Sequence, residues 1–283
     1  DTNGDGTGDA ILTFPGGESI TLVGVLASQV DSPAELVAIG IPSNGAVDGT
    51  SGNDSMTVGY TDTAGDIIDG ADGDNDTIFG YDGNDTIRAG NGDDTVFGGT
   101  GSDFLYGDAG NDLLEGEAGD DYLFSDGGGN DTLLGGEGSD RFHTERFGTV
   151  DGNTTIVGGE TGTDNDLIYL TAQSDGSGAN VVFTGDEAGT IDFATDGGTA
   201  TFSEIEGIQA TFGDDTVDAS AATTDVYVYG NGGNDSIVGG SGNDSLEASS
   251  GNDTLLGGDG NDTFNAGSGD DFVEGGAGDD LLV

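Results

Sequence analysis

Cysteine, tryptophan and lysine are absent from this chain, and its 283 residues include one histidine, one methionine and three prolines. Without cysteine there is no disulfide staple, no thiol nucleophile and no thiolate metal site. A lone histidine, His143, excludes a zinc site built on imidazoles. Neither a signal-peptide pattern nor a run of about 18 apolar residues occurs. No H-E-x-x-H or G-x-S-x-G stretch is present, and no pair among the many acids stands out as a glycosidase-type pair. Positive charge is the scarcest commodity: three arginines (Arg88, Arg141, Arg146) face 56 acidic residues, a net charge of −53. That balance excludes nucleic acid as a partner and opposes insertion into, or binding to, an anionic membrane.

What is present is glycine, 59 residues of it, and aspartate at a fixed interval. Asp76, Asp85, Asp94, Asp103, Asp112 and Asp121 follow one another nine residues apart, and a ten-residue step leads to Asp131 and Asp140. A second run, Asp235, Asp244, Asp253, Asp262, Asp271 and Asp280, keeps the same nine-residue period. The aspartates sit in the pattern G-G-x-G-x-D-x-U-x, with U a large apolar residue, although some units bend it: the one ending at Phe79 has Asp74 where the fourth-position glycine belongs. Gly135 to His143 and Gly257 to Asn265 match it throughout. U is Ile78, Ile87, Val96, Leu105, Leu114, Leu123, Leu133 and Phe142, then Ile237, Leu246, Leu255, Phe264, Val273 and Leu282; none is polar. Gly49 to Thr57, around Asp54, is an isolated copy, and the stretches around Asp66 and Asp215 are degenerate.

A short period over many units marks a repeat architecture. Glycine at alternate positions lets six residues turn sharply and aim carbonyls at a common point. The next three form a short strand with U on one face. Two units make one coil, so the expected fold is all-β: a parallel β-roll or solenoid with U inside. Units two apart would stack about 4.8 Å from one another. Carboxylates at that spacing repel by about 3.5 kcal/mol at an effective dielectric near 20. A hard divalent cation reverses that sign, and oxygen-only ligands favour calcium over zinc or magnesium. Two U side chains per coil are a thin core for so much charge, so metal binding and folding should be one event.

The repeat resembles the calcium-binding nonapeptide of RTX (haemolysin-type) proteins, a parallel β-helix repeat that binds Ca²⁺. The resemblance covers about 49–143 and 214–283. It implies that each ion takes carbonyls from positions two and four and the Asp of one unit, with positions one and three and the Asp two units on. One such site would use Asp85 and Asp103 with the backbones of Tyr81, Gly83, Gly98 and Thr100. Counted this way the two runs imply on the order of ten calcium ions. It further implies a bacterial protein exported unfolded by type I secretion, folding in extracellular calcium or at the cell surface.

The remainder divides by composition into a module at 1–48 and a connector at 144–213, flanking roll blocks at 49–143 and 214–283. Ala10–Phe14 and Ser19–Val23 flank Pro15-Gly16-Gly17-Glu18 as a hairpin, and Ser32-Pro33-Ala34-Glu35 starts a short helix ending near Gly40. Asp1-Thr2-Asn3-Gly4-Asp5-Gly6 has half an EF-hand loop, but Leu12 stands where glutamate is needed. In the connector, Asn180–Thr184, Thr190–Ala194 and Thr199–Ser203 are strand-like and should continue the solenoid or pack on it as a small sheet. Arg141, His143 and Arg146 form a basic cluster that neutralises carboxylates at the end of the first roll or, as the alternative, binds an external anion, with His143 an ordinary surface side chain. Phe104, Tyr106, Tyr122 and Phe124 share an outward face, a contact surface for the connector or another molecule.

Functionally the pattern points to a calcium-stiffened structural or adhesive segment, non-enzymatic, of a secreted bacterial protein, with a cell-surface or matrix polymer as a partner. The alternative is the accessory roll of a secreted hydrolase or polysaccharide-modifying enzyme whose catalytic domain lies outside this segment. An ice- or sugar-binding ladder begins at Thr77 and Thr95, but Leu113 interrupts it. Because the chain starts at Asp1 and stops at a repeat boundary, it reads as a segment of something longer. Asp271 and Asp280 would each own half a site, so that end should bind calcium more weakly or associate end to end. Replacing Asp103 should cost more than replacing Glu187, outside the repeats.

Overall fold

The computed structural model describes residues 10–13, 19–22, 46–62, 66–68, 75–144, 152–159, 164–170, 177–193 and 198–283. The expected helix at 32–40, the acidic turn at 1–6 and Arg146 lie outside them. Ala10–Thr13 and Ser19–Leu22 pair antiparallel, as the hairpin signal requires. The remaining strands form two long sheets, of 11 and 13 strands, and no helix occurs among the described residues. The fold is an all-β parallel solenoid.

Within the repeat runs the chain visits the two sheets alternately, so each strand pairs with the one a full coil away. Ile78, Val96, Leu114 and Leu133 are successive register partners on one sheet. Ile87, Leu105, Leu123 and Phe142 are the partners on the other. All eight are fully buried, so the apolar U positions form one continuous core between the sheets. The ten-residue step before Asp131 is absorbed by Gly127, Gly128 and Gly129, all at positive φ (84°, 86° and 134°). Three successive left-handed residues are accessible only to glycine at low cost. The extra residue therefore widens a turn without shifting the strand register.

The connector continues the solenoid. Asn153–Val157 pairs with Thr132–Glu137, and Leu167–Leu170 pairs with Arg141–Thr144. The three expected strands appear as Ala179–Gly185, Ala188–Phe193 and Thr199–Ser203, an antiparallel excursion inserted within the 13-stranded sheet. Gly207–Gln209 then joins the 11-stranded sheet between Leu167–Leu170 and Tyr227–Tyr229, and the second run carries both sheets onward.

Candidate metal centres

Each repeat aspartate lies at the mouth of a strand, where the glycine turn ends and the apolar core begins. Asp85, Asp103, Asp121 and Asp140 are 0% exposed, and Asp94, Asp112, Asp131, Asp235, Asp244, Asp253 and Asp262 are also buried. Except at Asp131, whose place one coil on is taken by Thr154, the backbone N–H of each donates to Oδ1 of the aspartate one coil on. The distances are 2.7 Å for Asp85 to Asp103, 2.8 Å for Asp103 to Asp121 and 2.8 Å for Asp235 to Asp253. One carboxylate oxygen is thereby used to hold the coils in register.

In most of them the other oxygen has no such partner, Asp244 Oδ2 being an exception that accepts from Gly240 N–H at 2.7 Å. Oδ2 of Asp85, Asp94, Asp103, Asp112, Asp121, Asp140, Asp235, Asp253 and Asp262 is buried with no hydrogen bond. An ionised oxygen taken out of water without a compensating donor or cation is strongly unfavourable. Apart from Asp94 and Asp253, whose repeats begin with Ala89 and Ala248, each points towards the first glycine of its own repeat. At Gly98, a Cβ would fall 2.6 Å from Asp103 Oδ2 and 2.9 Å from the Gly116 carbonyl oxygen of the next coil. At Gly80 the corresponding oxygens are Asp85 Oδ2 and the carbonyl of Gly98. The same pairing recurs at Gly116, Gly135, Gly239 and Gly257. The glycine thus leaves an oxygen-lined space that a side chain would fill, with a carboxylate on one coil and a carbonyl on the next. Those are hard oxygen donors of the kind calcium takes.

Charge makes the same point. Burial, above all, raises these carboxylates despite the N–H bonds that lower them, and neighbouring carboxylates raise most of them further. Asp103, Asp131 and Asp140 are pushed up to about 6, and Asp112, Asp121 and Asp235 to about 7. No group of three or more His, Cys, Asp or Glu side chains poised around one point occurs among the described residues. A site of two carboxylates completed by carbonyls would not produce one.

The edges of the ladders differ from the middle. Asp54 Oδ2 accepts from Thr50 N–H at 2.7 Å and Thr50 Oγ1 at 2.9 Å. Asp76 and Asp271 are half-buried, and Asp280 is exposed. In the pair first set out above, Asp85 Oδ2 and the Gly98 carbonyl converge, while the Tyr81 and Gly83 carbonyls face Gly99 and Gly101. The Thr100 carbonyl also accepts from Gly83 N–H at 2.8 Å. Tyr81 holds its turn at φ 73° and donates its hydroxyl to Asp48 at 2.8 Å.

The sequence period missed two ladder members. Asp140 N–H donates to Asp166 Oδ1 at 2.7 Å, and Asp166 N–H to Glu206 Oε2 at 2.6 Å. Their offsets are 26 and 40 residues, so a search at nine cannot register them. The usable signal was local: Asn165-Asp166-Leu167-Ile168-Tyr169 keeps the N-D-x-U-x half of the repeat. Asp215, in a degenerate copy, is also a member, donating to Asp235 Oδ1 at 2.9 Å.

Two readings of the basic cluster need correction. His143 is not an ordinary surface side chain: its ring is stacked between Phe124 and Tyr169 at 4.5 and 4.7 Å. Burial, and then the charge of Arg141, lowers its pKa to about 4. It is therefore neutral at pH 7 and neutralises nothing. Arg141 lies over the Tyr122 ring at 5.2 Å and donates to the Ser139 carbonyl at 3.4 Å.

The sequence profile of the RTX calcium-binding nonapeptide repeat, four copies long, matches residues 60–96, 71–105, 97–128, 124–146, 225–246 and 247–282. Together these stretches cover just over half of the chain, and the protein belongs to that family. Its repeats are calcium-binding repeats, and the solenoid they build is the β-roll form of a calcium-binding structural segment. No curated protein matches the chain as a relative.

Proposed function

We propose that this protein is a calcium-gated structural or adhesive segment of a secreted bacterial protein, without catalytic activity of its own. The observation that carries the reading is the row of buried aspartates whose Oδ2 atoms have no partner beside carbonyl-lined glycine turns. The stations are Asp76 to Asp140 and Asp235 to Asp280, each pairing carboxylates one coil apart, with on the order of ten ions in all. Repeated sites of this kind supply what the thin core lacks, because an ion that binds only the folded state stabilises it by mass action. Extracellular calcium modules work at dissociation constants of roughly 10⁻⁴–10⁻³ M. The chain would stay unfolded in a cytosol, suit export by type I secretion, and fold at the cell surface.

Two partners fit this reading. A cell-surface or matrix polymer fits a long rigid rod better than a compact ligand does. End-to-end association of this chain is the second. Far-ultraviolet circular dichroism tests the central claim. With a chelator at pH 7.5 the chain should be largely unordered, and millimolar calcium should bring β-structure cooperatively. A well-ordered chain in chelator overturns it, and light scattering against calcium concentration tests the association.

A further inference from the structure

Outside the nonapeptide runs, the structure gathers acids where the first run meets the connector. Asp166 is 1% exposed, accepts from Asp140 N–H through Oδ1 and gives its own N–H to Glu206. Asp164 lies close enough to raise the pKa values of Asp140, Asp166 and Glu206, and Glu187 raises that of Glu206. The nearby arginine, Arg141, lies over the Tyr122 ring and donates to the Ser139 carbonyl, and its charge lowers the Asp140 pKa without outweighing burial.

Two further observations separate this place from a mere crowd of carboxylates. Oδ2 of the fully buried Asp140 has no hydrogen-bond partner, and neither has the buried Oδ2 of Asp164. The oxygen-lined glycine space is also reproduced. A Cβ on Gly135 would meet Asp140 Oδ2 and, at 2.5 Å, the Gly158 carbonyl; one on Gly158 would meet Asp166 Oδ2 and the Glu204 carbonyl. The donor set of the repeat has thus been rebuilt from residues that do not follow the repeat.

We infer that Asp140, Asp166 and Glu206 form a calcium-binding continuation of the ladder encoded outside the nonapeptide, as two stations of two carboxylates each: Asp140 with Asp166 beside the Gly158 carbonyl, and Asp166 with Glu206 beside the Glu204 carbonyl. The all-oxygen mixture of carboxylate and carbonyl selects calcium over zinc, and the number of donors selects it over magnesium. The consequence is mechanical. The 11-stranded sheet has carboxylates at every ladder position from Asp54 to Glu206, and the first break comes at Val226, whose N–H donates to Asp244 Oδ1 at 3.0 Å. Ion binding here ties folding of the connector to that of the first run.

The site presupposes calcium binding by the repeats, so the experiment reads both. Calcium bound per chain is counted by native mass spectrometry for the 283-residue protein, Asp166→Asn and Glu206→Gln. Amide hydrogen exchange is followed in the same samples. Asp166→Asn keeps an oxygen to accept the Asp140 N–H but loses the charge, so a purely hydrogen-bonding role would survive it. Each variant should bind at least one ion fewer. Protection of Asn153–Val157, Leu167–Leu170 and Gly207–Gln209 should require roughly tenfold more calcium, with Thr86–Asn91 and Phe104–Ala109 unchanged. If Asp166→Asn does not fold, Glu206→Gln, at a half-buried side chain, carries the test. Unchanged ion count and exchange in a folded variant overturn the inference while leaving the repeat reading intact. Failure of the parent to bind calcium overturns the repeat reading itself.

Discussion

At the scale of single residues, the second position of most repeats is held in left-handed backbone. Gly99, Gly136, Gly258 and Gly276 occupy it at φ 105° to 115°, and Tyr81, Asp108 and Glu117 occupy it at 73°, 60° and 72°. A side chain in that conformation costs roughly 1–2 kcal/mol, partly offset in a comparison with glycine by glycine's greater unfolded freedom. Glu117 is exposed and also raises the pKa of Asp103. Glu117→Gly should therefore stabilise the calcium-loaded form by about 0.5–1 kcal/mol in denaturant unfolding. Gly99→Ala should destabilise it by about 1–3 kcal/mol, because its Cβ would collide with the Tyr81 backbone carbonyl. At the ladder itself, Asp103→Asn retains an acceptor for Asp85 N–H but removes charge from two stations, one towards Asp85 and one towards Asp121. It should raise the calcium midpoint of folding, measured by circular dichroism. Asp192→Asn, at an exposed acid of the antiparallel excursion, should leave it unchanged. Asp192 is a cleaner control than Glu187, which sits in a left-handed turn at φ 53° and crowds Glu206.

At the scale of strands, parallel in-register pairing places like positions over one another, so outward rings cover each other. Arg88, Tyr106, Phe124, His143 and Tyr169 form one such row, with ring separations of 4.3, 4.5 and 4.7 Å and Arg88 4.0 Å from the Tyr106 centroid. Phe104 and Tyr122 form a second at 4.6 Å. Ring faces are spent on neighbouring rings, leaving edges outward, and the described connector adds Tyr169 as a further rung. Phe124→Ser should open the row on both sides, costing about 1–3 kcal/mol for two ring contacts. It should also let the His143 pKa rise from about 4 towards 6.5. Proton NMR of the sole histidine reads that directly, and an unmoved titration would refute the stacking account. This row shows what sequence could and could not tell. The U positions, the coil and the aspartate period were legible because each repeats in chain order, and Ile78 through Phe142 are all buried as the pattern demands. Mutual cover between rings was not, since it depends on which strands become neighbours. Asp166 and Glu206 escaped for the same reason: the ladder counts coils, and the coils of the connector are not 18 residues long. Val273 and Leu282 follow the pattern yet are only partly buried and exposed, because little packs over the last coil.

For the whole molecule, the buried ladder makes the metal-free fold sensitive to pH in a direction opposite to that of a protein held by ion pairs. Asp103, Asp131, Asp140 and Asp215 are raised to about 6, Asp112, Asp121 and Asp235 to about 7, and Asp166 to about 8, burial being the leading cause in each. Their unfolded values lie near 3.9. Between about pH 4 and 8 the folded chain therefore holds more protons than the unfolded chain, and its stability falls as pH rises through that window. His143 acts in the other sense, its folded value depressed to about 4, so lowering the pH below about 6.5 costs stability. It is one group against eight. In chelator, the chain should gain β-structure by circular dichroism as pH is lowered from 8 to 4, with no calcium present. Calcium should restore the same structure at pH 7.5; added near pH 5, where the folded metal-free chain holds protonated carboxylates, it should release protons measurable in weakly buffered solution, because it binds the ionised form. A metal-free chain that is ordered at pH 8 and loses structure on acidification to pH 4 would show that the buried carboxylates are not what opposes folding.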